Sequence, residues 1–84
     1  MYLAKIYVRF KAGVLDPQGT AIKGALKHLG FETVEDVRVG KLIEIKLRTG
    51  DRREAEFQIK DMCEKLLANP VIEDYHFEIT EDLL

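Results

Sequence analysis

The chain has no serine, no tryptophan, a single cysteine and two prolines in its 84 residues. Each scarcity closes off a class of function. Without serine there is no serine nucleophile, and every motif built on one is excluded. The lone Cys63 has no internal disulfide partner, which fits a reducing compartment and predicts a cytoplasmic protein. The six glycines, at positions 13, 19, 24, 30, 40 and 50, are dispersed. They form neither a G-x-G-x-x-G turn nor a P-loop. No apolar run nears the roughly 20 residues a membrane helix requires, and the alternating, early-charged start Met1-Tyr2-Leu3-Ala4-Lys5 does not read as a signal peptide. A basic excess is also missing. Thirteen Lys and Arg stand against fifteen Asp and Glu, a formal charge of −2, whereas a free-standing nucleic-acid binder draws most of its affinity from phosphate neutralisation.

What is present is a globular pattern. Hydrophobic residues make up 46% and charged residues 33% of the chain, enough for a single core and a single domain over residues 1–84. Ala4, Ile6, Val8 and Phe10 alternate with Lys5, Tyr7 and Arg9, the period of a half-buried strand. Asp16-Pro17 reads as an N-cap followed by a first-turn proline. Ile22, Ala25, Leu26 and Leu29 then recur at helical spacing, and Gly30 suits the left-handed position past a helix end. Val37 and Val39, then Ile43, Ile45 and Leu47, predict two strands between about Val34 and Arg48, joined by a turn at Gly40-Lys41. Asp51 with Glu54 resembles a capping box. It opens a second helix whose apolar face is Ala55, Ile59, Met62, Cys63, Leu66 and Leu67, ended by Asn69-Pro70. Tyr75, Phe77 and Ile79 alternate in a last strand. The predicted fold is α+β, in the order β-α-β-β-α-β. It is a two-layer sandwich with both helices on one face of a mainly antiparallel sheet.

No cluster in this pattern carries chemistry. His28 lies on the polar side of the first helix, His76 on a strand and Cys63 on a buried face, so no metal site is expected. The acidic pairs Glu35-Asp36, Glu73-Asp74 and Glu81-Asp82 are neighbours in sequence. Their side chains point apart on a strand, which suits a solvated surface better than an acid–base couple. Arg48, Arg52 and Arg53 could hold a phosphate at the second helix, but a charged first turn is the simpler reading. Two residues break the pattern. Phe57 falls on the wet side of the second helix, and Gly24 lies inside the first helix at a cost of about 1 kcal/mol relative to alanine. An outward Phe and a bare stretch of backbone suit a docking surface.

Three blocks of sequence carry a family resemblance. They are Val14-Leu15-Asp16-Pro17-Gln18-Gly19, then Val37-Arg38-Val39-Gly40-Lys41 leading into Ile43-Glu44-Ile45, then Cys63 through Tyr75 with its Asn69-Pro70-Val71-Ile72-Glu73-Asp74 core. In this order they resemble the PurS family, small subunits of phosphoribosylformylglycinamidine synthase. The resemblance covers nearly the whole chain. It implies a non-catalytic subunit in purine biosynthesis, within a complex that makes formylglycinamidine ribonucleotide from formylglycinamide ribonucleotide with ATP and glutamine. It implies partnership with a large synthetase subunit, PurL, which uses ATP and Mg2+, and a glutaminase subunit, PurQ, with ammonia passing between them. It also implies self-association as a homodimer that can pair into a homotetramer, no cofactor bound by this chain, and no nucleic-acid or membrane partner. On this reading Arg38, Gly40 and Lys41 in the hairpin, Asn69 and Pro70 at the helix exit, and the outward Phe57 are the expected subunit contacts.

Three rivals share the element order. An ACT-like regulatory domain would bind an amino acid at a dimer interface. An acylphosphatase-like enzyme needs a phosphate-binding loop with an arginine after the first strand, where this chain has Lys11-Ala12-Gly13-Val14. An RNA-binding domain needs aromatics on the open sheet face, where only Tyr7 is available.

Overall fold

The computed structural model describes residues 1–82. Strand β1 (Tyr2–Phe10) is followed by helix α1 (Pro17–His28), strand β2 (Gly40–Leu47), helix α2 (Arg52–Met62), a single π-helical turn (Cys63–Leu67) and strand β3 (Glu73–Glu81). The sheet is antiparallel with order β2-β1-β3. The registers pair Ile6 with Ile43 on one side and with Phe77 on the other. These rows place Ala4, Ile6, Val8, Ile43, Ile45, Leu47, Tyr75, Phe77 and Ile79 on one face. The opposite face carries Lys5, Tyr7, Arg9, Leu42, Glu44, Lys46, His76 and Glu78, as the alternation predicts.

Helix α2 lies on the apolar face and closes the core. Ile6, Ile59, Val8 and Cys63 are its largest fully buried side chains. Burying an aliphatic side chain of this size stabilises by about 1.5–3 kcal/mol. Asp51 caps α2 by accepting from the amide of Arg53 at 3.0 Å. The reciprocal half of the expected capping box is absent, because the Glu54 carboxylate accepts instead from the Thr49 hydroxyl at 3.2 Å. The π turn, closed by the Ala68 amide on the Cys63 carbonyl, is wider than an α turn. It moves Leu66 off the apolar stripe to which helical spacing assigns it, and Leu66 is 81% exposed.

Two expectations are corrected. The sheet has three strands, not four. Residues 34–39 are outside any strand, and there is no turn at Gly40-Lys41, which instead begin β2. A two-residue hairpin loop needs a positive φ at its glycine, and only Gly13 and Gly30 have one among the described glycines. The Arg38 guanidinium instead donates to the carbonyls of Phe10 and Lys11 at the end of β1. Secondly, only α2 packs on the sheet. Helix α1 is well formed: Asp16 caps it, and a Schellman closure joins the Gly30 amide to Lys27 and the Phe31 amide to Leu26. Yet Ile22 and Leu29 of its apolar stripe are exposed, with Phe31 just beyond, and Gly19 is its one buried residue. The molecule spans 50 × 30 × 14 Å with a radius of gyration of 16.5 Å, against about 12 Å for a compact chain of this length. Helix α1 is an arm standing off the body.

Candidate subunit-contact surfaces

The arm is held at its base by one carboxylate. Asp16, 7% exposed, accepts from the Gly19 amide at 2.9 Å through Oδ1 and from the Val39 amide at 2.8 Å through Oδ2. The Arg38 Nε lies 3.9 Å away. One side chain thus ties the segment entering α1 to the segment leaving it, 23 residues later. Hydrogen bonds from Val39 and Gly19 hold the Asp16 carboxyl below its ordinary range, outweighing the opposing effect of burial, and Arg38 adds to the lowering. Gly19 is required by the same closeness, since a Cβ there would sit 2.2 Å from the Val37 carbonyl oxygen.

Three groups of exposed apolar residues surround this frame. The first is the α1 arm, with Leu15, Ile22, Leu29 and Phe31. The second is Phe57, 74% exposed on the outer side of α2, where its helical register predicts it. The third is the far end of the π turn, where Leu66 and Val71 flank Asn69 and Pro70. Asn69 and Pro70 occupy the helix exit as expected, and there Asn69 organises the turn. Its Oδ1 accepts from Val71 at 3.1 Å, its amide donates to Glu73 at 2.7 Å, and its carbonyl takes the amides of Ile72 and Glu73. Arg38, Gly40 and Lys41 do come together, at the start of β2 rather than in a hairpin. With Tyr7, Arg9 and His76 they border an open trough of about 530 Å³. Tyr7 and His76 stack across its floor with ring centroids 4.7 Å apart.

Two cations of this region, Lys41 and Arg38, are already engaged. Lys41 faces Glu73 at 3.8 Å and Arg38 faces Asp16. Arg52, from the cluster considered for phosphate, donates to the Ile79 carbonyl at 2.8 Å and to Glu56 at 3.3 Å, and so ties α2 to β3. Burial, with Glu64 beside it, pushes the Cys63 thiol upward, which suppresses thiolate chemistry. A hydrogen bond to Glu64 at 2.7 Å pushes the Tyr75 phenol up to about 12. It fastens the β3 face to the π turn. Sequence reasoning missed Leu15, Phe31, Leu66 and Val71, and it saw Asp16 only as a helix cap. Its bond to Val39 is non-local and leaves no mark in local spacing.

The site defined by this fold is a set of outward apolar surfaces on a small, elongated α+β body, the form of an interaction subunit. The family model for PurS, phosphoribosylformylglycinamidine (FGAM) synthase, matches residues 3–81. The PurS subunit of FGAM synthase from Bacillus subtilis is 49% identical over 81 residues, covering 96% of this chain and 95% of that protein. The crystal structure of PurS from Methanocaldococcus jannaschii superposes with a TM-score of 0.88 at 39% identity, covering 98% of this chain and 99% of that one. A chain in the structure of PurLQS from Thermotoga maritima does so with a TM-score of 0.83 at 28% identity, covering 95% and 99%. The chain belongs to the PurS family. It is accordingly a small subunit of FGAM synthase, a ligase complex of purine biosynthesis, and the α+β class expected from the sequence is borne out.

Proposed function

We propose that this chain is a non-catalytic bridge, associating with itself and joining the synthetase and glutaminase subunits in the cytoplasm so that ammonia passes between them. ATP and Mg2+ are used by the synthetase subunit, and this chain holds neither. The observation that carries the reading is the separation of three exposed apolar surfaces over a body 50 Å long. Single exposed apolar residues are ordinary. Several of them, on separate elements of an elongated body, suit a chain that touches several neighbours. In this arrangement Arg38, Gly40 and Lys41 take part in contacts between copies. Phe57, Asn69 and Pro70, with Leu66 and Val71, meet the other subunits. The PurLQS assembly of the Thermotoga maritima relative supports association with other subunits, and excluding water along the bridge limits the escape of ammonia.

Reconstitution tests the proposal. The chain alone should turn over no formylglycinamide ribonucleotide. Added to its synthetase and glutaminase partners, it should restore glutamine-dependent synthesis. Unchanged glutamine-dependent activity in a mixture lacking it would refute the bridging role.

A further inference from the structure

Strand β3 ends the sheet, and its outer edge is closed at both ends and open in the middle. The ladder with β1 fixes which backbone groups face out. The Lys11 amide donates to the Ile72 carbonyl and the Asp82 amide to the Met1 carbonyl. The bonded rows of this antiparallel pair therefore fall on the even-numbered residues of β3. The N–H and C=O groups of Asp74, His76, Glu78 and Thr80 point to β1, and those of Glu73, Tyr75, Phe77 and Ile79 point away from it. Two of the outward groups are taken. The Glu73 amide donates to the Asn69 carbonyl at 2.7 Å, and the Ile79 carbonyl accepts from the Arg52 guanidinium at 2.8 Å. Between these closures, Tyr75 and Phe77 present both their amides and their carbonyls with no backbone partner among the described residues.

An open edge is a template for a further strand, and natural edges are blunted by proline, by a bulge or by charge. Over its nine residues β3 has no proline and an unbroken register. Its defence is charge: it carries Glu73, Asp74, Glu78 and Glu81 and no Lys or Arg. Such a row repels an acidic strand, a second β3 included, and admits a basic one. Asp74 and Glu78 flank the gap on the open face of the sheet. Both are exposed and sit opposite Arg9 and Lys5 of β1, yet neither forms an ion pair or hydrogen bond among the described residues.

We infer that this gap receives an extended, basic segment of another subunit of the synthase. Main-chain hydrogen bonds to Tyr75 and Phe77 hold the segment, and two of its Lys or Arg residues, four apart, meet Asp74 and Glu78. On the other face its side chains lie beside the half-buried rings of Tyr75 and Phe77, where apolar residues belong. The segment thus reads basic, apolar, any residue, apolar, basic. Asn69 and Arg52 limit its length by closing the edge on either side. Val71, 78% exposed and assigned above to contacts with other subunits, stands two residues before β3, so the edge continues that surface.

The inference rests on the bridging role proposed above, and its test separates the two. Hydrogen exchange, read residue by residue, is compared between the chain alone and its reconstituted complex with the synthetase and glutaminase subunits. The amides of Asp74, His76 and Glu78, bonded to β1, serve as internal controls and should be slow in both. Those of Tyr75 and Phe77 should be fast in the chain alone and at least about tenfold slower in the complex. The double variant Asp74→Lys with Glu78→Lys alters two exposed side chains. It should weaken association with the partner subunits by about tenfold at low salt and flatten its salt dependence. If the mixture makes product from glutamine without this chain, the bridging role fails. If the chain is required but Tyr75 and Phe77 exchange as fast in the complex as alone, the bridge stands and the strand addition is overturned. Slow exchange at both residues in the chain alone also overturns it, as does a charge variant that associates as tightly as the wild type.

Discussion

Replacing Gly19 by alanine isolates the geometry of the arm from its composition. The added Cβ would lie 2.2 Å from the Val37 carbonyl oxygen and 2.9 Å from Asp16 Oδ2, where real Cβ contacts stay beyond 3.0 Å. The nearest atom is backbone, so the first turn of α1 must move by about 0.8 Å relative to Val37, an overpacking cost of about 1–3 kcal/mol. Alanine returns up to about 1 kcal/mol through its helix propensity, leaving a net loss of about 1–2 kcal/mol. If the 0.8 Å is taken up as a tilt over one 5.4 Å turn, the far end of an 18 Å helix swings by about 2.5 Å, enough to misalign Leu26 and Leu29 with any surface they meet. Gly24→Ala is the control. It lies in the same helix with nothing within 4 Å of its Cβ, and it should stabilise by up to about 1 kcal/mol. Urea unfolding at one fixed protein concentration distinguishes them. With a slope near 1 kcal/mol/M for a chain of this size, the midpoint of Gly19→Ala should fall by about 1–2 M and that of Gly24→Ala should rise. Sedimentation at the same concentration should show weaker association for Gly19→Ala alone. A Gly19→Ala protein as stable and as associated as Gly24→Ala would refute the close approach at the arm's base.

Two further outcomes concern Asp16 at the arm's base and Phe57 on α2. The Asp16 carboxyl is held below its ordinary value in the folded chain, so its contribution is complete above that ordinary value and is lost as pH falls through the lower folded one. Asp16→Asn should therefore flatten the acid side of the stability profile between about pH 5 and 2, measured as the urea midpoint against pH; an unaltered acid limb contradicts the clamp. Phe57→Ser should leave stability within about 0.5 kcal/mol, because the ring is exposed, yet lower the glutamine-dependent rate of the reconstituted complex. An unchanged rate at limiting concentrations of this chain removes Phe57 from the contacts.

Periodicity marks which residues of an element face an apolar neighbour, and this made most of the fold legible. The alternation of β1, β2 and β3, the stripe of α2 and the caps at Asp16 and Asp51 are local signals that local geometry obeys. The errors have physical causes as well. Leu66 left its stripe because the final turn is π rather than α, a one-residue change in hydrogen bonding with no compositional signature. Of the expected contact residues, Phe57 lies exposed where its register places it, and Asn69 and Pro70 lie at the helix exit where turn chemistry places them. Leu15, Phe31 and Val71 sit beside the helices and show no period.

The largest departure, the unpaired 34–39 run and the uncovered α1, is of another kind. The apolar positions Ile22, Leu26, Leu29, Val37 and Val39 mark one helix face and one extended run as apolar, but nothing in a 3.6- or 2-residue period states whether the same chain covers them. That is decided by a single local event, whether the backbone reverses at Gly40-Lys41. Reversal needs a positive φ that Gly40 does not adopt, and Asp16 holds Val39 on the outgoing path instead. A carboxylate with two amide hydrogen bonds, one buried and one part-buried, therefore holds the outgoing chain on the path that leaves α1 as an arm. The same binary pattern serves either path, which is why the sequence predicts four strands where one chain forms three.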